Sequence, residues 1–208
     1  MNSQENSGTV VRNLGRSDFD AAVSILAESF FSKFSTAVSG DKDSIKSFLR
    51  EVEFDDEDKF DGYFVSVTGD SVSGILLLKW KGKKTGSSLG KFVSAVKKAG
   101  LLRVLRFVLV FALLSHEPGK GECYIDHIAV APVFRGRGIG TKLLAAAEDF
   151  AGKNGFEKLT LYVAFSNDAR KLYEKYGFKE VKSEESLVTA LMFGIDRWVY
   201  MEKNLKDA

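Results

Sequence analysis

The sequence contains a single cysteine, Cys123, in 208 residues. One thiol excludes an intramolecular disulfide framework and points to a reducing compartment. Excess charge is also missing: 30 Lys and Arg stand against 28 Asp and Glu, a net of +2. So balanced a chain offers no electrostatic footprint for nucleic acid or for an acidic membrane. The polar start, MNSQENSGTV, lacks the charged-then-apolar pattern of a secretory signal, and a cytoplasmic protein is expected. No apolar run reaches the roughly 20 residues that a spanning helix needs. Leu101 to Leu114 is only 14 residues long and is interrupted by Arg103 and Arg106. It reads as a buried or pocket-covering helix, with an interfacial helix as the other option.

What is present suits one globular domain with a sizeable core: 45% of residues are hydrophobic and 28% charged. The chain shows neither an internal repeat nor a linker. Thr9 to Asn13 reads as a first strand. A helix is expected over Arg16 to Phe34, with Ser17 as its N-cap and Ala22, Ile25, Leu26, Phe30 and Phe34 on one face. Asp41 to Val52 predicts a second short helix. Tyr63 to Thr68 and Val72 to Trp80, joined at Gly69-Asp70, predict a hairpin. Lys81 to Gly90 reads as a solvated loop, and Lys91 to Ser115 as mostly helical. Strands follow over Tyr124 to Val130, Leu159 to Ala164, Phe178 to Lys182 and Trp198 to Glu202. Helices over Gly138 to Lys153 and Asn167 to Tyr176 separate the first three of these strands. The expected fold class is α/β (α+β): a mixed central sheet flanked by helices, with an extra apolar helix before the fourth strand. The expected division is an acceptor-side half over 9–83, an inserted helical segment over 84–121 and a ligand-binding half over 122–208.

The densest chemical signal is Arg135-Gly136-Arg137-Gly138-Ile139-Gly140, followed by Thr141 and a helix. Glycines let a backbone turn and approach a ligand without side-chain clash. The helix that opens there exposes unpaired amides and the positive end of its dipole, which together favour an anion. Arg135 and Arg137 add bidentate donors. A pyrophosphate fits that chemistry, although a tight turn alone would use the same glycines. The spacing matches neither the G-x-G-x-x-G dinucleotide fingerprint nor the Walker pattern.

Ile128 to Leu144 resembles the acyl-CoA loop of GNAT-type N-acetyltransferases, whose pattern [QR]-x-x-G-x-[GA] is met by Arg135, Gly138 and Gly140. Leu172-Tyr-Glu-Lys-Tyr-Gly-Phe178 is similar to that family's L-Y-x-x-x-G-F segment. The resemblance covers about residues 120–183 by motif and the N-terminal half by element order only. It implies acetyl-CoA as co-substrate, with the amides of Gly136 to Thr141 on the pyrophosphate and the backbone of Ile128, Ala129 and Val130 along the pantetheine arm. No metal is expected. The family's asparagine falls on Asn167 counted from Val163 and on Ser166 counted back from Tyr173, so the pantetheine contact is open between the two.

Acetyl transfer to an amine needs a deprotonated nucleophile, a polarised thioester, shared positioning and a stabilised thiolate. By resemblance, Tyr173 stands where the family places a tyrosine near the CoA sulfur, and serves as acid. Tyr176 reads as structural, and Cys123 as a small core residue. Strand alternation puts Tyr124, Asp126 and Ile128 on one face and Ile125, His127 and Ala129 on the other. The resemblance places an acidic residue or histidine at Tyr124 and Asp126, so Asp126 is the first candidate to accept the ammonium proton or pair with its charge. His127 is a suitable base on the wrong face, and water alone serves some members. The acceptor is expected to be a primary amine of a small molecule or a peptide. The segment over 91–115 either covers the acceptor cleft or buries a homodimer face. The competing reading is a GNAT-shaped sensor that holds acyl-CoA without turnover.

Overall fold

A computed structural model of the chain describes residues 8–29, 31, 43, 46, 49, 60–83 and 115–206. The helix expected over Lys91 to Ser115, and with it the extra helix before the fourth strand, lies outside them apart from Ser115. Of the expected helix over 41–52, the described Asp43, Lys46 and Leu49 are helical. No described helix is long and apolar enough to cross a membrane.

Seven strands form one sheet. They are β1 (Thr9–Asn13), β2 (Tyr63–Thr68), β3 (Ser71–Trp80), β4 (Glu122–Val130), β5 (Lys158–Ala164), β6 (Lys179–Glu185) and β7 (Arg197–Asn204). Their order across the sheet is β1-β2-β3-β4-β5-β7-β6. All neighbours run antiparallel except β4 and β5, which are parallel. The helices are α1 (Phe19–Ser29), α2 (Ile139–Lys153), α3 (Ala169–Lys175) and α4 (Leu187–Phe193).

At its centre the sheet is buried on both faces, which explains the near-continuous apolar run Ile75-Leu-Leu-Leu78. Ile75 and Leu77 point to the core under α1, with Val23, Leu26 and Ala129. Leu76 and Leu78 point to the core under α2, with Cys123, Ile125, Leu143, Leu144 and Leu161. Leu143 and Leu144 are fully enclosed, and each such burial contributes on the order of 1.5–3 kcal/mol. Cys123 is fully buried too, and burial pushes its thiol up to about 12. It is a packing residue, as its place in the strand predicts.

Two expectations need correction. Ser17 does not cap the first helix. A short 3-10 turn, Arg16–Asp18, precedes α1, and the buried Asp18 closes it by accepting from the Gly15 amide at 2.8 Å. The guanidinium of Arg12 grips the same carboxylate at 2.6 and 2.9 Å. Helix α4 stands where the sequence predicts no element. Its signals are local, a Ser186 side chain accepting from the Thr189 amide and a left-handed Gly194. Leu187 and Leu191 stay exposed, so the segment carries no amphipathic period that would mark it as a helix.

The Arg12 bond, more than the burial that opposes it, holds the Asp18 carboxyl below the usual range. A carboxylate with a depressed folded pKa stabilises the fold above its unfolded pKa, about 3.9. That contribution is lost as pH falls through the folded value. Asp18→Ala is expected to lower stability by about 1–2 kcal/mol at neutral pH. Urea titrations should find the difference from wild type shrinking below about pH 4.

Candidate active site

Strands β4 and β5 are paired only from Glu122↔Lys158 to Tyr124↔Thr160. Beyond Tyr124 they part, while β4 keeps its antiparallel bonds to β3 as far as Val130. Among the described residues the β5-facing edge of residues 125–130 therefore meets no strand, and the sheet is split where its two halves join.

The split coincides with a β-bulge. Leu78 pairs with Ile125 and Leu77 with His127, which leaves Asp126 as the extra residue of β4. Strict alternation fails there. Ile128 packs with Ile125 against the α2 core, and not on the face of Tyr124 as alternation predicts. Asp126 and His127 both line one cavity of about 420 Å³ that fills the split.

On the α2 side, the cavity is bounded by Ile128, Val163, Ala169 and Tyr173. Tyr173 is 7% exposed, and burial pushes its phenol up to about 12. Among the described residues no hydrogen-bond partner meets its hydroxyl. Asn167 lines the cavity and Ser166 does not. The Asn167 side-chain Oδ1 accepts from the Ala169 amide at 3.0 Å at the start of α3, and among the described residues no partner meets its NH2. Tyr176 stands apart from the cavity. It donates to Glu148 at 2.7 Å, and Lys203 sits 4.4 Å above its ring.

The glycine loop lies at the start of α2. Gly136 and Gly138 both take left-handed φ of 75°, and a Cβ on either would meet no atom within 4 Å. Among the described residues no acceptor meets the amides of Gly136, Arg137 and Gly138. Arg135 donates to the Val130 carbonyl at 3.1 Å, and Arg137 lies 5.5 Å from the Phe134 ring. Gly140 differs. A Cβ there would stand 2.8 Å from the Leu172 side chain. That contact gives the glycine a packing role between α2 and α3. The two sequence motifs meet at that contact.

The opposite side of the cavity is aromatic and acidic: Tyr124, Tyr162, Trp198, Asp126, Glu184 and His116. Asp126 is paired at 2.9 Å with Lys79 and at 3.1 Å with His127. Burial raises its carboxyl, but the charges of His127, Lys79 and Lys83 outweigh burial and hold it below the ordinary range. Burial, aided by Asp126, drives the Tyr124 phenol well above its usual value.

Sequence reasoning missed a buried carboxylate just outside the cavity. Glu122 is 5% exposed. One oxygen accepts from Thr160, from Tyr200 at 2.8 Å and from His116 at 3.0 Å; the other accepts from the Gly119 amide at 2.7 Å. Burial opposes its charge, yet these donors together hold the carboxyl below the usual range. Its partners lie as far as 78 residues away in sequence, so no local pattern announces it.

Comparison with known proteins bears on this geometry. YhfO of Bacillus subtilis, named an uncharacterized N-acetyltransferase, is 44% identical over 75 residues, 36% of this chain and 50% of that protein. The chain spans about half the length of the curated relatives it matches. A solved acetyltransferase superposes with a TM-score of 0.61 at 22% identity, covering 94% of this chain and 99% of that one. Ard1 from Thermoplasma volcanium superposes at 0.58 with 16% identity, over 95% and 97% of the two chains. Both likenesses are of fold. The model of the Acetyltransferase (GNAT) family matches residues 25–178. That span holds the split strands, the glycine loop and α3, and the chain belongs to the GNAT acetyltransferase family.

Proposed function

We propose that the protein transfers an acetyl group from acetyl-CoA to a primary amine of a small molecule or a peptide, by direct attack. The observation that carries this reading is the cavity through the β4–β5 split. It joins Tyr173 and the open edge of β4 on one face to an acidic, aromatic pocket on the other. A thioester held in the gap could be reached by an amine from the far side, which is the positioning that transfer requires.

The loop amides of Gly136 to Thr141 take the pyrophosphate, with Arg135 and Arg137 beside them. The open edge at Ile128, Ala129 and Val130 bonds the pantetheine amides, and the free NH2 of Asn167 makes a further contact to that arm. Tyr173 donates a proton to the departing thiolate. Asp126, already ionised between Lys79 and His127, is a poor proton acceptor and acts by attracting the ammonium group. Tyr124 stays neutral and walls the acceptor side.

The test is thiol release from acetyl-CoA across a panel of primary amines, with acetyl-CoA affinity measured in parallel by calorimetry. Thiol release that needs both co-substrate and amine is expected. Tight binding of acetyl-CoA with no release for any amine would favour the sensor reading.

A further inference from the structure

We infer that His116 is the group that takes the proton from the acceptor ammonium, and that Glu122 is its positioning residue. The inference rests on the acetyl-transfer reading above and adds the proton acceptor that reading lacks.

The geometry singles out this imidazole. His116 lines the cavity together with Tyr124, Tyr162 and Asp126. Its ring is penned by three tyrosines, at 4.7 Å from Tyr124, 5.4 Å from Tyr162 and 5.6 Å from Tyr200. Its Nε2 lies 3.0 Å from Glu122 Oε1. An ionised carboxylate can only accept, so Nε2 must carry the hydrogen. That tautomer leaves Nδ1 with its lone pair, and among the described residues no partner meets Nδ1. Glu122 is itself immobilised by Thr160, Tyr200 and the Gly119 amide. A buried acid that fixes the tautomer and angle of an imidazole is the arrangement that suits a general base.

The alternatives along β4 are weaker on the same grounds. Asp126 and His127 are bound to each other, and Asp126 also to Lys79. Tyr124 is a buried neutral phenol. The charged and titratable groups facing His116 are Glu122 and Tyr124 from β4, Tyr162 from β5, Tyr200 from β7, and Glu184 with Lys182 from β6. Lys182 lies 5.7 and 5.5 Å from the Tyr162 and Tyr200 rings and bonds Glu184 at 2.7 Å. Across the cavity stand Asp126, Lys79 and His127.

The ammonium gives one proton to Nδ1, and the free amine attacks the thioester carbonyl. The C–N bond forms, the C–S bond breaks, and the thiolate takes a proton from Tyr173. The second amine proton restores the Tyr173 phenol, and His116 returns its proton to solvent. The products are the acetamide, CoA thiol and one proton.

His116→Gln keeps a donor for Glu122 and removes the base. For an amine that the wild type acetylates, kcat/KM should fall roughly a hundredfold near neutral pH, with acetyl-CoA affinity unchanged. The profile should also change shape. Wild type levels off once the imidazole is neutral, whereas the variant climbs about tenfold per pH unit with the free-amine fraction and approaches wild type in alkali. Glu122→Gln should give a smaller loss. Nitrogen NMR supplies a readout independent of turnover, and with only two histidines in the chain the signals can be assigned with His127→Gln. A hydrogen on Nε2 of His116 is expected, and a hydrogen on Nδ1 overturns the assignment. An active His116→Gln enzyme with the wild-type profile overturns the dyad while leaving acetyl transfer intact. A wild-type protein that releases thiol with no amine overturns both.

Discussion

Gly138→Glu is expected to abolish measurable acetyl-CoA binding while leaving the sheet folded. Gly138 is the N-cap of α2, with φ 75° and ψ 5°. A residue with a Cβ costs about 1–2 kcal/mol in that left-handed conformation. A Cβ there meets nothing within 4 Å, so the penalty is local. Binding suffers far more. The carboxylate would stand among the amides expected to hold the pyrophosphate, at the positive end of the helix dipole. It would replace the ligand's anion with its own and repel what remains. Calorimetry should show at least a hundredfold loss in affinity, and thermal stabilisation by acetyl-CoA should vanish. An unchanged affinity would show that the loop is not the cradle. Gly140→Ala separates the two glycine roles. Its Cβ would press at 2.8 Å on the end of the Leu172 side chain, and the better helix propensity of alanine offsets part of that strain, so stability should fall by no more than about 1 kcal/mol and binding should change only through the tilt of α2 on α3.

That contrast shows how far the sequence is legible. Spacing alone marks Arg135 to Gly140 as a turn into a helix, and the strands around it are found within one to three residues because their apolar runs are strong. The same spacing does not separate a glycine that admits a ligand from one that admits Leu172, since both need only the absence of a Cβ. The bulge at Asp126 is hidden for another reason. Alternation assumes one residue per pleat, and one extra residue reverses every face beyond it. Tyr124 and Ile128 are thereby separated, and His127 joins Asp126 at the cavity. The Glu122 cluster is the least legible. Its members come from β4, β5, β7 and the segment before β4, and only the parallel pairing of β4 with β5 and the register of β7 bring them together. A glutamate opening a strand reads as a solvent-facing end until Thr160 and Tyr200 are placed beneath it.

The cavity is lined by the Tyr173 phenol as well as the His116 imidazole, and the phenol gives the larger expected effect. Tyr173→Phe should lower kcat roughly a thousandfold with little change in acetyl-CoA affinity. Phe fits the same space against Phe178, whose ring lies 6.0 Å away, so the fold and the cavity should persist. What is lost is one proton. Burial pushes the Tyr173 phenol up to about 12, so it is protonated throughout the physiological range and available as a donor. The sign of the pH effect follows. With Tyr173 as the acid, wild-type activity should hold through pH 10 and fall only as the phenol ionises toward its raised value. An unperturbed tyrosine, near 10, would give the fall about two units earlier. In Tyr173→Phe that alkaline limb should disappear, because the thiolate then leaves unprotonated at every pH. A better leaving group sharpens the test further. An acetyl donor whose thiol is more acidic needs less help on departure, so the variant should recover more of its rate with that donor than wild type gains. If Tyr173→Phe loses acetyl-CoA affinity in proportion to rate, the tyrosine positions the cofactor and the proton comes from solvent.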